Sequence, residues 1–207
     1  MIHPYKRSTA RSRLLMIDPG HIGKYPRLRP DNGASHADAI EVGCTSSLAG
    51  GIVNGIVVAD PNHHMVLGRF GNYDAAWRLV NPYLVLALHV DSWGQVGDGK
   101  TAGLKLFFNG ANSRTRFVAE ELRDTLLSDE YFSSNPLIQG QIRSVPVSMD
   151  DEKGYPRVAN VIRCADSDVL LFEVSRVQEL GNTHPMELSS TYASLGYIIG
   201  ETLANFC

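Results

Sequence analysis

Cysteine is scarce in this sequence, and the few present are not arranged to act together. Cys44, Cys164 and Cys207 are odd in number and contain no CxxC pair, which excludes a disulfide framework and a cysteine metal knuckle. Unpaired thiols in a reducing compartment are expected. Charge of one sign is also lacking. A formal net charge of −3 sets up no field that would draw the chain onto nucleic acid or an anionic membrane, so neither is an expected partner. No uninterrupted apolar run approaches the roughly 20 residues of a membrane helix. The basic opening MIHPYKRSTARSR is not followed by the apolar stretch of an export leader, so no signal peptide is expected. Internal repeats, low-complexity tracts and Pro/Gly/Ser-rich linkers are missing too. The 207 residues therefore read as a short polar arm over 1–12 and one folded domain over 13–207, expected to be monomeric.

What is present is alternation. "LLMI" (14–17), "YLVLAL" (83–88) and "VLLF" (169–172) are short continuous apolar runs, the pattern of strands covered on both faces. "GLKLFF" (103–108) and "HMVLG" (64–68) are weaker strands, expected toward an edge. Between them, apolar or small residues recur from Val42 through Thr45, Ala49, Ile52, Val53 and Ile56 at the helical period, until Asp60-Pro61-Asn62 stops the element. Gly50, Gly51 and Gly55 each weaken that helix by about 1 kcal/mol relative to alanine. A second helix, over 113–127, carries Phe117, Val118, Leu122 and Leu126 on one face behind Ser113 as its cap. A last one starts at Thr183 as cap ahead of Pro185 and runs to Phe206 through Leu188, Tyr192, Leu195, Ile199 and Leu203. Strands alternating with helices predict an α/β domain. The stretch 91–103 reads as a surface loop, and the strands of 133–157 are not placed by its weak periodicity.

Three of the buried runs lead into a titratable residue. "LLMIDPGH" leads to His21, "YLVLALH" to His89 and "VLLFE" to Glu173. Ligands of open α/β sheets collect outside the carboxyl ends of the strands, so the three point to one site. A lone histidine at a strand end is commonly just a hydrogen-bonded structural group. Glu173, between Phe172 and Val174, is partly desolvated and needs a partner, a metal or a proton. A metal held by two histidines wants a third protein ligand and an open position. Glu41 is the best candidate, because Thr45, Leu48 and Ile52 place it beside the apolar stripe of its helix. His36 is the rival, but it lies in "DNGASHAD", which reads as loop. His63 and His64, in a turn by composition, read as surface residues; His3 and His184 have no distinguishing context. His21, Glu41 and His89 around an open position make a zinc hydrolase set, with one Zn2+ per chain. Such a metal lowers the pKa of its water to about 7 and polarises a carbonyl. Glu173 would carry the water's proton to a departing amine, which is amide hydrolysis.

At these residues the sequence resembles the zinc-dependent N-acetylmuramoyl-L-alanine amidases of the type 3 family, over roughly residues 13 to 206. "MIDPGH" resembles the family's opening strand and first ligand. "DNGASHADAIE" resembles the loop leading to the ligand glutamate, "LALHVDS" the "SIHAN" strand, "GLKLFF" the glycine-led strand after it, and "VLLFEVSRVQ" the segment with the catalytic glutamate. Asp91 stands where the family has asparagine, and "SRVQE" replaces "GFLSN". The resemblance implies a single domain with a mixed, mostly parallel central sheet and helices on both faces. It implies peptidoglycan as substrate, cut between N-acetylmuramic acid and L-alanine. The missing leader favours a phage endolysin held in the host cytoplasm until release to the wall, with a bacterial wall-remodelling amidase as the alternative. A zinc peptidase or carboxypeptidase is a further alternative. Lys24 three residues after His21 counts against it, since those enzymes usually carry glutamate there. An inactive wall-binding protein is the non-enzyme alternative.

Overall fold

The computed structural model describes residues 14–20, 33, 35–36, 39–68, 80–91, 103–135, 141–148, 156–163, 168–176, 180 and 183–206. The three apolar runs form β1 (Leu15–Pro19), β5 (Leu84–Asp91) and β8 (Asp168–Arg176), which lie side by side and parallel. With β4 (Met65–Leu67), β6 (Leu104–Asn109) and β7 (Ile142–Val147) they make a six-stranded sheet in the order β4-β1-β5-β8-β6-β7. Only the β6–β8 pairing is antiparallel. β4 takes the expected edge position. β6 does not: it lies inside the sheet, and the edge belongs to β7, from the stretch whose periodicity is weak. An exposed Pro146 in β7 fits an edge, where a residue without an N–H breaks no ladder.

Alternate residues of each strand face opposite layers. Leu15, Ile17, Leu84, Leu86, Leu88, Leu104, Leu106, Phe108, Leu170 and Phe172 belong to the larger core, beneath α1 (Glu41–Ala59), α2 (Ser113–Ser128) and α5 (Pro185–Ala204). Met16, Val85, Ala87, Phe107, Val169 and Leu171 face the other way, with Ala159 and Ile162 of α4 (Pro156–Arg163) over them. This is the α/β sandwich expected, helices on both faces of a mixed, mostly parallel sheet. A five-residue α3 (Glu130–Ser134) and a two-stranded ribbon of β2 (Ser35–His36) and β3 (Ala39–Ile40) complete the described elements. His36 is therefore in a short strand, where a loop was expected.

Gly51 and Gly55 of α1 have a packing reason, whereas Gly43 and Gly50 face open space. A Cβ on Gly51 would come within 2.1 Å of the Ala193 carbonyl oxygen, and one on Gly196 within 2.2 Å of that of Leu48. Gly55 and Gly200 repeat this one turn on, so α1 and α5 meet backbone to backbone. By length and mean hydropathy alone α1 could cross a membrane, although Thr45, Ser46, Ser47 and Asn54 interrupt it and it is no continuous apolar run. Here Leu48, Ile52 and Ile56 instead join the core against the sheet and α5.

Several caps and faces differ from expectation. Asn112, not Ser113, caps α2, its side chain accepting from the N–H groups of Arg114 and Thr115. Phe117 lies on the exposed side of α2 and meets Phe206 edge to face at 5.5 Å, while Val118, Leu122 and Leu126 are buried. His184, not Thr183, caps α5 by accepting the Met186 N–H. His63 is no surface residue: its side chain is 5% exposed and lies 3.5 Å from Asp60. His64 is exposed as expected, and Cys44 is a buried free thiol.

Candidate metal centre and catalytic site

Parallel packing of β1, β5 and β8 brings their carboxyl ends to one edge of the sheet. His89 sits near the end of β5 and Glu173 is its register partner on β8, so both side chains rise on the same side of adjacent strands. Both are half-buried. The β5–β8 register slips immediately after this pair.

Glu41, the first residue of α1, is only 3% exposed. Its burial has a clear local cause. Gly20, just past the end of β1, donates its N–H to the Leu88 carbonyl at 2.7 Å. Leu88 and Val90 point their backbone groups to the same side of β5, but β1 pairing stops at Leu88. The Val90 N–H thus lies beyond the reach of β1, and Glu41 Oε1 accepts it at 3.1 Å. The same oxygen lies 3.2 Å from His89 Nδ1. Thr45, one turn along α1, donates to the Gly20 carbonyl at 3.0 Å and so ties the first turn of the helix to the end of β1. Gly20 itself is the close approach that permits the cluster. A Cβ there would lie 2.5 Å from the Leu88 oxygen and 2.8 Å from His89 Nδ1.

Of the expected donors only Glu41 and His89 lie among the described residues, and their spacing is compatible with zinc. Two ligand atoms each 2.0–2.1 Å from a tetrahedral zinc stand about 3.3 Å apart, and the Glu41 to His89 separation is 3.2 Å. Among the described residues no group of three His, Cys, Asp or Glu converges closely enough to hold a metal. His21, the expected third ligand, lies outside the described residues; Gly20, which precedes it, is the residue pressed against His89.

Sequence reasoning passes over the groups that hold these side chains in place. Tyr192 reads as one more apolar position of the last helix, yet its hydroxyl donates to the Val174 carbonyl at 3.2 Å. Ser175 and Cys44 stand beside the same hydroxyl, so α5 meets β8 next to Glu173 and α1 next to Glu41. Burial holds the Tyr192 phenol well above its usual range, with the Cys44 and Glu41 charges adding to that, so it remains a neutral donor. Burial, then the nearby Glu41 charge, pushes the Cys44 thiol up to about 11. Ser175 has a left-handed backbone, φ 59°, and its N–H reaches the Gly103 carbonyl at 2.9 Å, turning β8 just past Glu173. Only the glycine in "DPGH" is a usable signal, a flexible residue between a buried strand and a histidine.

No family model and no curated protein sequence matches the chain. Solved structures do match. The chain aligns with Cwp6 from Clostridium difficile at a TM-score of 0.67 and 17% identity, over 93% of this chain and 29% of that one, so it spans under a third of Cwp6. The catalytic domain of CwlV, an N-acetylmuramoyl-L-alanine amidase from Bacillus (Paenibacillus) polymyxa var. colistinus, aligns at 0.64 and 14% identity over 94% and 98%. The catalytic domain of the CD27L endolysin targeting Clostridia difficile aligns at 0.58 and 14% over 93% and 97%. The chain thus has the fold of the N-acetylmuramoyl-L-alanine amidases over nearly its whole length.

Proposed function

We propose that the protein is a zinc-dependent N-acetylmuramoyl-L-alanine amidase, releasing stem peptides from peptidoglycan. The observation that carries this reading is the Glu41 carboxylate 3.2 Å from His89 Nδ1, on the strand beside Glu173. Its occurrence at the carboxyl edge of an amidase-type fold supplies the substrate class. His21, Glu41 and His89 would hold the zinc, which supplies a Lewis acid for the carbonyl and a water of lowered pKa. The Val90 N–H fixes the Glu41 carboxylate through Oε1. Glu173 accepts the attacking water's proton on its carboxylate and returns it to the departing L-alanine nitrogen, which leaves as an amine. The half-buried setting of Glu173 limits competing water.

The role we favour is that of a phage endolysin, stored in the host cytoplasm and acting on the wall after membrane breach; the CD27L endolysin catalytic domain shares the fold, as does the bacterial amidase CwlV. The test is a digest of purified peptidoglycan by zinc-loaded protein with and without chelator, read by mass spectrometry. Free stem peptides beginning in L-alanine, absent with chelator, are expected. Intact lactyl amides in the presence of bound zinc would overturn the reading.

A further inference from the structure

β8 changes register directly after Glu173. His89 of β5 pairs with Glu173, but the next pair is Asp91 with Arg176. One residue of β5, Val90, therefore faces two of β8, Val174 and Ser175, which makes a β-bulge. A bulge bends its strand and re-aims the side chains beside it. Val90 is also the residue whose N–H is accepted by Glu41 Oε1. The irregularity in β8 thus lies across from the point where the Glu41 carboxylate is held.

Ser175 sits in this bulge at φ 59°, in the left-handed region that glycine enters freely and serine only against the bulk of its Cβ. It is 2% exposed. A strained residue keeps such a conformation only where its surroundings over-determine it. Two contacts from outside the β5–β8 ladder do so here. The Ser175 N–H donates to the Gly103 carbonyl at 2.9 Å. Gly103 is itself wedged in place, since a Cβ on it would come within 2.2 Å of the Gln141 oxygen. The Tyr192 hydroxyl donates to the Val174 carbonyl at 3.2 Å, and Ser175 stands beside the same hydroxyl.

The Val174 carbonyl and the Ser175 N–H belong to one peptide unit, so that unit is gripped at its oxygen and at its nitrogen. A peptide is planar and turns as a whole. Turning this one would relieve Ser175 of its positive φ and would at the same time change the backbone of Val174, the residue next to Glu173. The strain therefore pulls toward a second arrangement of the chain at Glu173, and the grip opposes it.

We propose that Tyr192 is a positioning residue for Glu173: its hydroxyl locks the Val174–Ser175 peptide against the strain at Ser175 and so keeps the Glu173 carboxyl group in one orientation. The consequence for turnover rests on the amidase reading; the orientation itself does not.

The test reads the Glu173 side chain directly, by the three-bond couplings from its Cγ to the backbone nitrogen and carbonyl carbon in isotopically labelled full-length chain, with zinc and without. The wild type should show the couplings of one rotamer. Tyr192→Phe, which keeps the ring and removes the hydroxyl, should show averaged couplings. Its kcat on peptidoglycan should fall by about 10- to 100-fold, the cost of a supporting group or of a misplacement near 1 Å, with KM and zinc content unchanged. Ser175→Gly removes the strain that the hydroxyl opposes, so alone it should stay close to the wild type, and added to Tyr192→Phe it should restore most of the single rotamer and of kcat. Mere loss of a buried hydrogen bond would not be repaired in this way. A single rotamer in Tyr192→Phe, or averaged couplings that persist in the double variant, would overturn the proposal. If the wild type leaves peptidoglycan intact, the amidase reading fails and the couplings of the same variants still decide the role of Tyr192.

Discussion

The two ends of the sheet each bury a carboxylate, and they do so for different purposes. At the amino end of β8, Asp168 is 6% exposed, accepts from Asn112 Nδ2 at 2.6 Å and lies 3.6 Å from Arg114 Nη1. Arg114 in turn stacks over Tyr83, 4.9 Å from the ring centre. At the carboxyl end, Glu41 is buried to a similar degree but faces a histidine ring nitrogen and one backbone N–H. The first carboxylate is neutralised by a cation and held by an amide that also caps a helix. The second is gathered with a group able to bind metal. Burial of a charge alone therefore does not separate structure from chemistry; the partner does.

This contrast can be broken most decisively at Glu173. Glu173→Gln should lower peptidoglycan hydrolysis by about a thousandfold, the range for a lost general acid/base, with zinc content by atomic absorption unchanged. Undiminished hydrolysis would remove Glu173 from the reaction. The next test sets the two carboxylates against each other. Glu41→Gln should weaken zinc binding by more than the roughly 10- to 100-fold typical of losing a supporting residue. Asp168→Asn should leave zinc affinity alone and cost about 1–3 kcal/mol of stability, as expected when a buried acceptor's donors lose their partner. If thermal melts and zinc titrations show the reverse assignment, the distinction between the two ends fails.

Gly20→Ala sharpens the same comparison at the backbone. The added methyl meets the Leu88 oxygen and His89 Nδ1, so zinc affinity and activity should fall further than the melting temperature. Equal falls would mean a purely structural role. The smallest expected effect is on alkaline stability. The Cys44 thiol titrates near 11 in the fold, against about 9 for a thiol in water. Because the folded pKa is raised, the unfolded chain loses its proton first. That contribution to stability is complete below about pH 9 and is lost as pH rises toward 11. Cys44→Ala should flatten this part of a pH–melting curve, and an unchanged curve would place the alkaline loss elsewhere.

Legibility of the chain follows the range of the interactions involved. β1, β5 and β8 are readable because a strand covered on both faces must be apolar throughout, and β4 because its short run stands alone. β7 is not, because an edge strand with Pro146 and Arg143 exposed shows no such run. The cap of α2 lies one residue before the expected Ser113, since Asn112 is chemically as good a candidate and only the backbone turn chooses between them. Phe117 departs from its expected buried face because it has a partner, Phe206, that no local period reveals. Glu41 is legible through its place beside an apolar helix stripe, whereas its bond to Val90 depends on where β1 stops.

By itself the sequence determined the alternation of buried strands and helices, and it put His89 and Glu173 at the ends of apolar runs. Those are properties of period and local polarity. Only the tertiary structure decided that β6 turns antiparallel inside the sheet, which places Lys105 beside Glu173. It also decided that α1 and α5 touch through Gly51 and Gly196, and that Glu41 meets His89. Each of these depends on register or on the end of a neighbouring element, and none is encoded in any short window of residues.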